Sequence, residues 1–521
     1  MVRQKVEIQP RRSIGVLTAL SLLMVVVSYA VMLGIAAFCI YGPYLLVAND
    51  SSPHFQLIIL LIGGIGMAGV LLWSIAPRPE KNEAPGMLLT KEMQPRVFAE
   101  LEEISSALGE PMPKEVYLIG QPNAFVSDLG GTFGFGSRRI LAIGLPLFHV
   151  LTLAEWRAVL AHEFAHYYSG DTSLGPSLYR AQRAMLRAFE NLSSVKGFAR
   201  VAILQALYLF VFYILKGTFL LFLRVINLAS RRKEFRADEL ACLVAGTGAM
   251  GSGLKKIRGA AAAWPTYWKD ELVPFLENGD LPAVGDGFVR FMAEPKIYEQ
   301  VKEFVNKAVT EGKTNPYDTH PPLNARLAAI AKMKPVAGPE DADLAAELLN
   351  APFDTEQLFI EEMNPNLPKG TMKQVSWDEL GEKVTIPAWT AQVAKYSRFL
   401  QGETCEMLPR ALKKIPEIAA AVENPKGRLL SPQQKSQRAF QLLGIALGLA
   451  LLRNGWKLRA QPASFYVYQG NERVEIFADL MNLQQGKTAP EKWTSLCEQW
   501  GVVEAPLAVE EPTVVENSRA K

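Results

Sequence analysis

Two long apolar runs stand near the N-terminus, from about Ile14 to Tyr41 and from Phe55 to Ile75. Each is long enough to cross a bilayer as a helix, and Gly63, Gly64, Gly66 and Gly69 give the second a small-residue surface for close packing on the first. A cleaved secretory leader is the competing reading of the first run. It is disfavoured because the run continues past Ser28-Tyr29-Ala30 and a second run follows. The loop between the runs contains no Lys or Arg, whereas Arg11 and Arg12 precede the first run and Arg78 and Lys81 follow the second. This asymmetry predicts a multi-pass membrane protein with both ends on the cytoplasmic side.

Beyond a proline-rich junction (Pro77, Pro79, Pro85) the pattern takes on the periods of a soluble domain. It predicts a helix over Pro95 to Leu108, a strand at Val116 to Ile119, and two strands within Phe125 to Ile143 around a turn containing Gly130, Gly131, Gly134 and Gly136. No Gly-Lys-Ser/Thr follows these glycines, so a phosphate loop is not indicated. Leu153, Trp156, Val159, Leu160 and Phe164 then recur at helical spacing, opened by a Thr152/Glu155 capping box and closed by Gly170. A basic amphipathic segment (Tyr179 to Arg200) leads into a third apolar stretch, Val201 to Leu228, with Lys216 and Gly217 near its middle. Helices are expected to about Thr310, with Trp264, Trp268, Phe275, Phe288 and Phe291 as core. An acidic, proline-containing linker leads to helices around Thr390 to Glu423 and Gln434 to Asn454 and strands at Phe465 to Tyr468 and Arg473 to Phe477. The apolar Leu442 to Leu452 is too short to span a membrane and reads as a buried helix.

The Thr152-capped helix carries the chemistry. His162-Glu163-Phe164-Ala165-His166 places two imidazoles four residues apart on one helical face, with a carboxylate one step round. This H-E-x-x-H pattern is the signature of zinc peptidases, in which the histidines hold the ion and the glutamate moves the proton of the attacking water. A second stretch, Ser230 to Ala241, sets Glu234 and Asp238 four apart on another helical face. One can complete a metal site while the other orients a ligand imidazole.

With both motifs present, residues from about Glu100 to Ile330 resemble the membrane zinc metallopeptidases of the HtpX and CAAX prenyl endoprotease type. The resemblance implies one Zn2+ per chain on His162, His166 and Glu234, Glu163 as general base and acid, and Asp238 behind the ligands. It further implies that His320 and Arg326, in Thr319-His320-Pro321-Pro322-Leu323-Asn324-Ala325-Arg326, lie near the scissile carbonyl, and that Asn123, Ala124 and Phe125 contact substrate. The function expected is a membrane-anchored zinc endopeptidase acting on membrane or membrane-proximal proteins, in proteolytic quality control. The alternative is a zinc-containing, chaperone-like binding module with little hydrolysis.

If His162 and Glu234 share one ion, the chain between them crosses the bilayer an even number of times. About 28 apolar residues suffice for one span and fall short of two, so 201–228 is expected to make no net crossing, as a long helix or a hairpin dipping into the membrane. Two tightly packed short spans are the alternative. The fold class is α+β and mainly helical. It comprises a two-helix membrane anchor (1–80), a zincin-like domain with a small edge sheet (81–335), an acidic linker (336–370), a C-terminal α+β region (371–503) and a disordered tail (504–521).

Composition adds little to this picture. Of 521 residues 49% are hydrophobic, which suits membrane attachment, and a net charge of +3 is too small to imply nucleic acid. Cys39, Cys242, Cys405 and Cys497 form no C-x-x-C pair and indicate neither disulfides nor a cysteine zinc site. The expected partners are therefore protein or peptide substrates and the lipid bilayer.

Overall fold

The computed structural model describes residues 12–50, 55–76, 83–130, 137–166, 175–195, 201–313, 315, 317–318, 320–338, 342–364, 370–421 and 430–509. Several sequence expectations lie outside these residues: the Gly170 helix stop, the turn glycines 131, 134 and 136, the flanking Arg11, Arg78 and Lys81, and the tail from 510. By internal contacts the chain divides into two compact units, Met1–Trp264 with Glu299–Asn366, and Pro265–Tyr298 with Leu367–Lys521.

In the first unit, α1 (Arg12–Ala48) and α2 (Phe55–Ile75) pack on each other as the apolar runs predict. Only one of the four glycines serves that contact, and a second faces a later helix, Ala202–Ala245. A Cβ at Gly64 would collide with the Cys39 carbonyl and one at Gly63 with Leu204, while Gly66 and Gly69 face open space.

A sheet follows, of β1 (Met87–Leu89), β2 (Glu115–Ile119), β3 (Ala124–Leu129) and β4 (Arg138–Gly144), in the order β1-β2-β4-β3, with α3 (Pro95–Leu108) between the first two strands in sequence. β3 and β4 pair antiparallel from Ala124↔Ile143 to Leu129↔Arg138, which leaves β3 at the edge. β4 runs into a short helix, α4 (Leu145–Val150), and then into α5 (Leu153–Ala165).

Two helices of very different length come next, α6 (Gly175–Val195) and α7 (Ala202–Ala245). Helix α6 buries Ala181, Ala184, Met185, Ala188 and Leu192. Its Arg187 donates from Nε and Nη2 to the Ser74 carbonyl at 3.1 and 3.0 Å, and Asn191 Nδ2 donates to Ser74 Oγ at 2.9 Å. The two Arg187 bonds satisfy a carbonyl at the C-terminal end of α2 that has no partner within its own helix.

Helix α7 is the long helix that was one of the two forms expected. It runs unbroken through Lys216 and Gly217 for 44 residues, about 66 Å at 1.5 Å per residue. Of the two forms expected, the long helix and not the hairpin is found, because a mid-helix glycine costs only about 1 kcal/mol, whereas a break would expose backbone polar groups in apolar surroundings. Two membrane-crossing helices were expected. Among the described residues three are long and apolar enough: 19–48 within α1, α2, and α7. The first unit continues with α8 (Thr247–Thr266) and with helices at Pro295–Glu311 and Leu323–Ala331.

The span expected as a linker is largely folded where it is described. Thr152 forms an isolated antiparallel bridge with Leu344, Leu153 N–H donates to Asp343 O at 2.8 Å, and Ala345 N–H to Leu151 O at 3.0 Å, so this strand-like segment is laced to the start of α5. A helix at Pro352–Met363 then buries Phe359 and Ile360. Acidic composition concealed an apolar face.

The second unit joins 265–298 to the C-terminal region. Asp280–Pro282 pairs in parallel with Lys373–Val375, and Trp377 Nε1 donates to Ala283 O at 2.7 Å. Its core includes Leu442 to Leu451 on the helix Pro432–Arg453, beside an antiparallel sheet of Lys457–Gln461, Ser464–Gln469 and Glu472–Val474.

Candidate active site

Helix α5 begins as its sequence dictates: Thr152 Oγ1 accepts from Glu155 N–H at 3.3 Å, and Glu155 Oε2 accepts from Thr152 N–H at 2.8 Å. Lys256 of α8 reaches the same Glu155 Oε2 at 2.7 Å and fixes the cap from outside. The buried apolar face, with Trp156 and Leu160 fully enclosed, sets the rotation of the helix and hence the direction of His162. His166 is the C-cap residue, one turn on.

Helix α7 packs along α5 and brings Glu234 to both histidines, its carboxylate oxygens 3.4 Å from His162 Nε2 and 3.5 Å from His166 Nε2. The two Nε2 atoms are 3.2 Å apart, and one ligand atom from each of the three residues lies within 4.8 Å of the others. Two imidazoles and a carboxylate form the donor set of a zinc site with one position left for water or substrate. Glu234 Oε2 is buried with no hydrogen-bond partner, an orphaned electron pair of the kind a cation satisfies. The residues therefore fit a metal ion.

The far side of the cluster is braced. Asp238 Oδ1 lies 3.0 Å from His162 Nδ1, leaving Nε2 for the cluster. Arg326 donates to both oxygens of Asp238, from Nε at 2.9 Å and from Nη2 at 2.5 Å. His320 Nδ1 lies 3.0 Å from Glu234 Oε1, with its side chain 65% exposed. The loop that carries it is tied to α7 by Arg231, whose Nη1 donates to the carbonyls of Asn315 and Asp318 at 3.3 and 3.2 Å. In sequence Arg231 reads as one of a run of three cations, with nothing to signal this tether.

The electrostatics follow from crowding. Burial raises the Glu163 carboxyl to about 7, against the pull of neighbouring cations. At His162 burial opposes protonation, but hydrogen bonds to Asp238 and Glu234 outweigh it and raise the ring to about 9. Burial and the charge of His162 push His166 down to about 3. The hydrogen bond to Glu234 raises His320. Without metal the pair thus carries one excess proton, on His162, which a divalent ion has to displace, because a ligating imidazole is neutral.

The sequence-nominated residues are distributed as follows. His162, His166, Glu234, Asp238, His320 and Arg326 converge at one place, and Glu163 is beside them on α5. Asn123 is exposed just before β3; Ala124 and Phe125 open this edge strand, which packs against α5.

Comparison with known proteins agrees with this reading. Residues 91–334 match the family model of peptidase family M48. Protease HtpX of Pseudomonas fluorescens (strain Pf0-1) is 24% identical over 266 residues, covering 49% of this chain and 87% of that protein. Protease HtpX of Stutzerimonas stutzeri (strain A1501) is 27% identical over 209 residues, covering 39% and 69%. The crystal structure of S. mikatae Ste24p aligns over 59% of this chain and 67% of that one at 14% identity, with a TM-score of 0.26, too low to carry an argument. Over residues 91–334 the chain is thus similar to peptidase family M48, and over about half its length to HtpX proteases.

Proposed function

We propose that the protein is a membrane-anchored zinc endopeptidase that cleaves membrane or membrane-proximal proteins at the cytoplasmic face of a bacterial-type inner membrane, in proteolytic quality control. The observation that carries this reading is the meeting of His162, His166 and Glu234 ligand atoms within 4.8 Å, with Glu163 beside them on α5 and the bundle of apolar helices in the same compact unit. His162, His166 and Glu234 would hold the ion. Zinc, when bound, supplies Lewis acidity toward the scissile carbonyl and acidifies water.

The remaining steps belong to the chain. Glu163 takes the proton of the attacking water and returns it to the departing amine. Its raised pKa makes it a reservoir that both accepts and releases a proton near neutrality. His320 keeps one ring nitrogen on Glu234 while most of its side chain is open to solvent, which suits a donor to the oxyanion of a bound peptide. Asn123, Ala124 and Phe125 lead into an edge strand beside α5, where an extended peptide can add as a further strand, read through its backbone and so with little dependence on side-chain sequence.

The test is hydrolysis of an unfolded membrane protein by the detergent-purified chain. Glu163→Gln is expected to retain zinc and lose turnover by about a hundredfold or more. Equal turnover by wild type and variant would refute the mechanism. Binding without turnover by the wild type on varied substrates would favour a chaperone-like module.

A further inference from the structure

We infer that Arg326 is a positioning residue whose clamp on Asp238 fixes the His162 ring in its metal-binding direction. The inference rests on the zinc reading above. It differs from the expectation that this arginine faces the scissile carbonyl, because two of its donors, on Nε and Nη2, are already committed to Asp238. Nε and Nη2 grip both oxygens of Asp238 in a fork at 2.9 and 2.5 Å, and Nη1 lies 3.7 Å from Glu234 Oε2. The side chain is only 12% exposed. The Nη2 that grips Asp238 also passes 3.4 Å from His162 Nδ1, so the fork is seated on the very pair it would hold in place.

What the clamp achieves follows from the shared atom. Asp238 Oδ1 accepts from Arg326 Nη2 and meets His162 Nδ1 at 3.0 Å, while its side chain is 2% exposed. Without Arg326 this carboxylate would be a buried charge held by one imidazole and free to rotate, which releases the ring. The planar fork supplies orientation as well as charge, which an ammonium group cannot reproduce in full. The three groups stand on separate segments: His162 on α5, Asp238 on α7, and Arg326 at the start of the Leu323–Ala331 helix. His320 precedes that helix by three residues. The same clamp therefore registers the loop bearing His320 against the ligand helices.

The experiment is zinc affinity by competition with a chromophoric chelator, on the full-length protein in detergent, for wild type, Arg326→Gln, Arg326→Lys, Asp238→Asn and the Asp238→Asn/Arg326→Gln double variant. Loss of such an outer partner typically weakens metal binding by about 10- to 100-fold. Arg326→Gln is expected at the lower end of that range, with Arg326→Lys recovering part. The double variant should bind about as weakly as Asp238→Asn alone, because the arginine acts only through the aspartate. The cobalt-loaded Arg326→Gln protein should show a shifted visible spectrum at saturating metal, which a loss of stability alone would not produce. Wild-type zinc affinity and spectrum in Arg326→Gln, with hydrolysis lost through kcat, would overturn the inference and restore the oxyanion role. If Arg326→Gln does not fold, wild-type zinc affinity in Arg326→Lys would overturn it equally. A wild-type chain whose zinc affinity depends on Arg326 but which hydrolyses nothing would defeat the peptidase reading and leave this inference intact. Absence of zinc binding by the wild type would defeat both.

Discussion

Replacing Glu163 by Gln tests the electrostatics of the site without any substrate. In the metal-free protein burial raises this carboxyl from 4.5 to about 7. A folded-state pKa above the unfolded value means that the folded protein keeps the proton longer as pH rises. The favourable term is therefore full below 4.5, declines between 4.5 and 7, and is gone above 7. At about 1.36 kcal/mol per pH unit, the interval corresponds to at most about 3 kcal/mol. Glu163 is half-buried and retains some contact with solvent, which brings the working figure to about 1–3 kcal/mol. Glutamine carries no titrating proton and escapes this loss. Chelator-treated Glu163→Gln should therefore gain on the wild type between pH 4.5 and 7 and keep a constant advantage above that, measured as the difference in thermal midpoints at pH 4.5, 6 and 8. Zinc should shrink the difference, because a cation beside Glu163 favours its charged form. Midpoints that differ by the same amount at pH 4.5 and pH 8 would refute the claim that the carboxylate is strained by its surroundings.

Topology is testable with single cysteines, since Cys39, Cys242, Cys405 and Cys497 are all buried and should give little background. Cysteines at Asp50, between α1 and α2, and at Tyr317, in the loop before His320, are expected to label from opposite faces of the membrane; labelling from one face would remove the cytoplasmic assignment. Phe359 is 1% exposed, with its ring 3.2 Å from where a Cβ at Gly120 would stand. Phe359→Ala should therefore cost about 3–5 kcal/mol, read as a lower thermal midpoint of the metal-loaded protein, and an unchanged midpoint would mean that 342–364 is not integral to the catalytic unit.

Local rules made much of the fold legible. The Thr152/Glu155 capping box opens α5 where the pattern puts it, α3 covers Pro95 to Leu108 as predicted, and the glycine-flanked apolar pairs form the β3–β4 hairpin. Each of these is decided by residues within a few positions of one another. Failures arose where composition stood in for packing. The hairpin left open at Lys216 and Gly217 does not form, because one charge and one glycine are too weak to interrupt a helix whose alternative is unsatisfied backbone. The acidic 336–370 stretch looked like a spacer, yet Phe359 and Ile360 lie fully buried against the sheet-bearing unit, an interaction partner no local window contains. The attachment of 265–298 to the C-terminal region rests on pairs such as Arg290 with Asp378, 88 residues apart.

The site divides along the same line. The residues that converge on the candidate site were legible because a metal site would impose its geometry on spacing: His162 and His166 are four apart, as are Glu234 and Asp238, and helical periodicity turns each spacing into a shared face. The partner of Asp238 was not legible. Nothing local in Leu323-Asn324-Ala325-Arg326 distinguishes an arginine that holds a peptide from one that holds a carboxylate, because both roles call for the same planar fork of donors. What decides between them is the register of the Leu323–Ala331 helix against α7, and that register is fixed by packing contacts made elsewhere. A motif therefore locates the reacting centre, while the assignment of each charged neighbour depends on which of its donors the surrounding structure has already used.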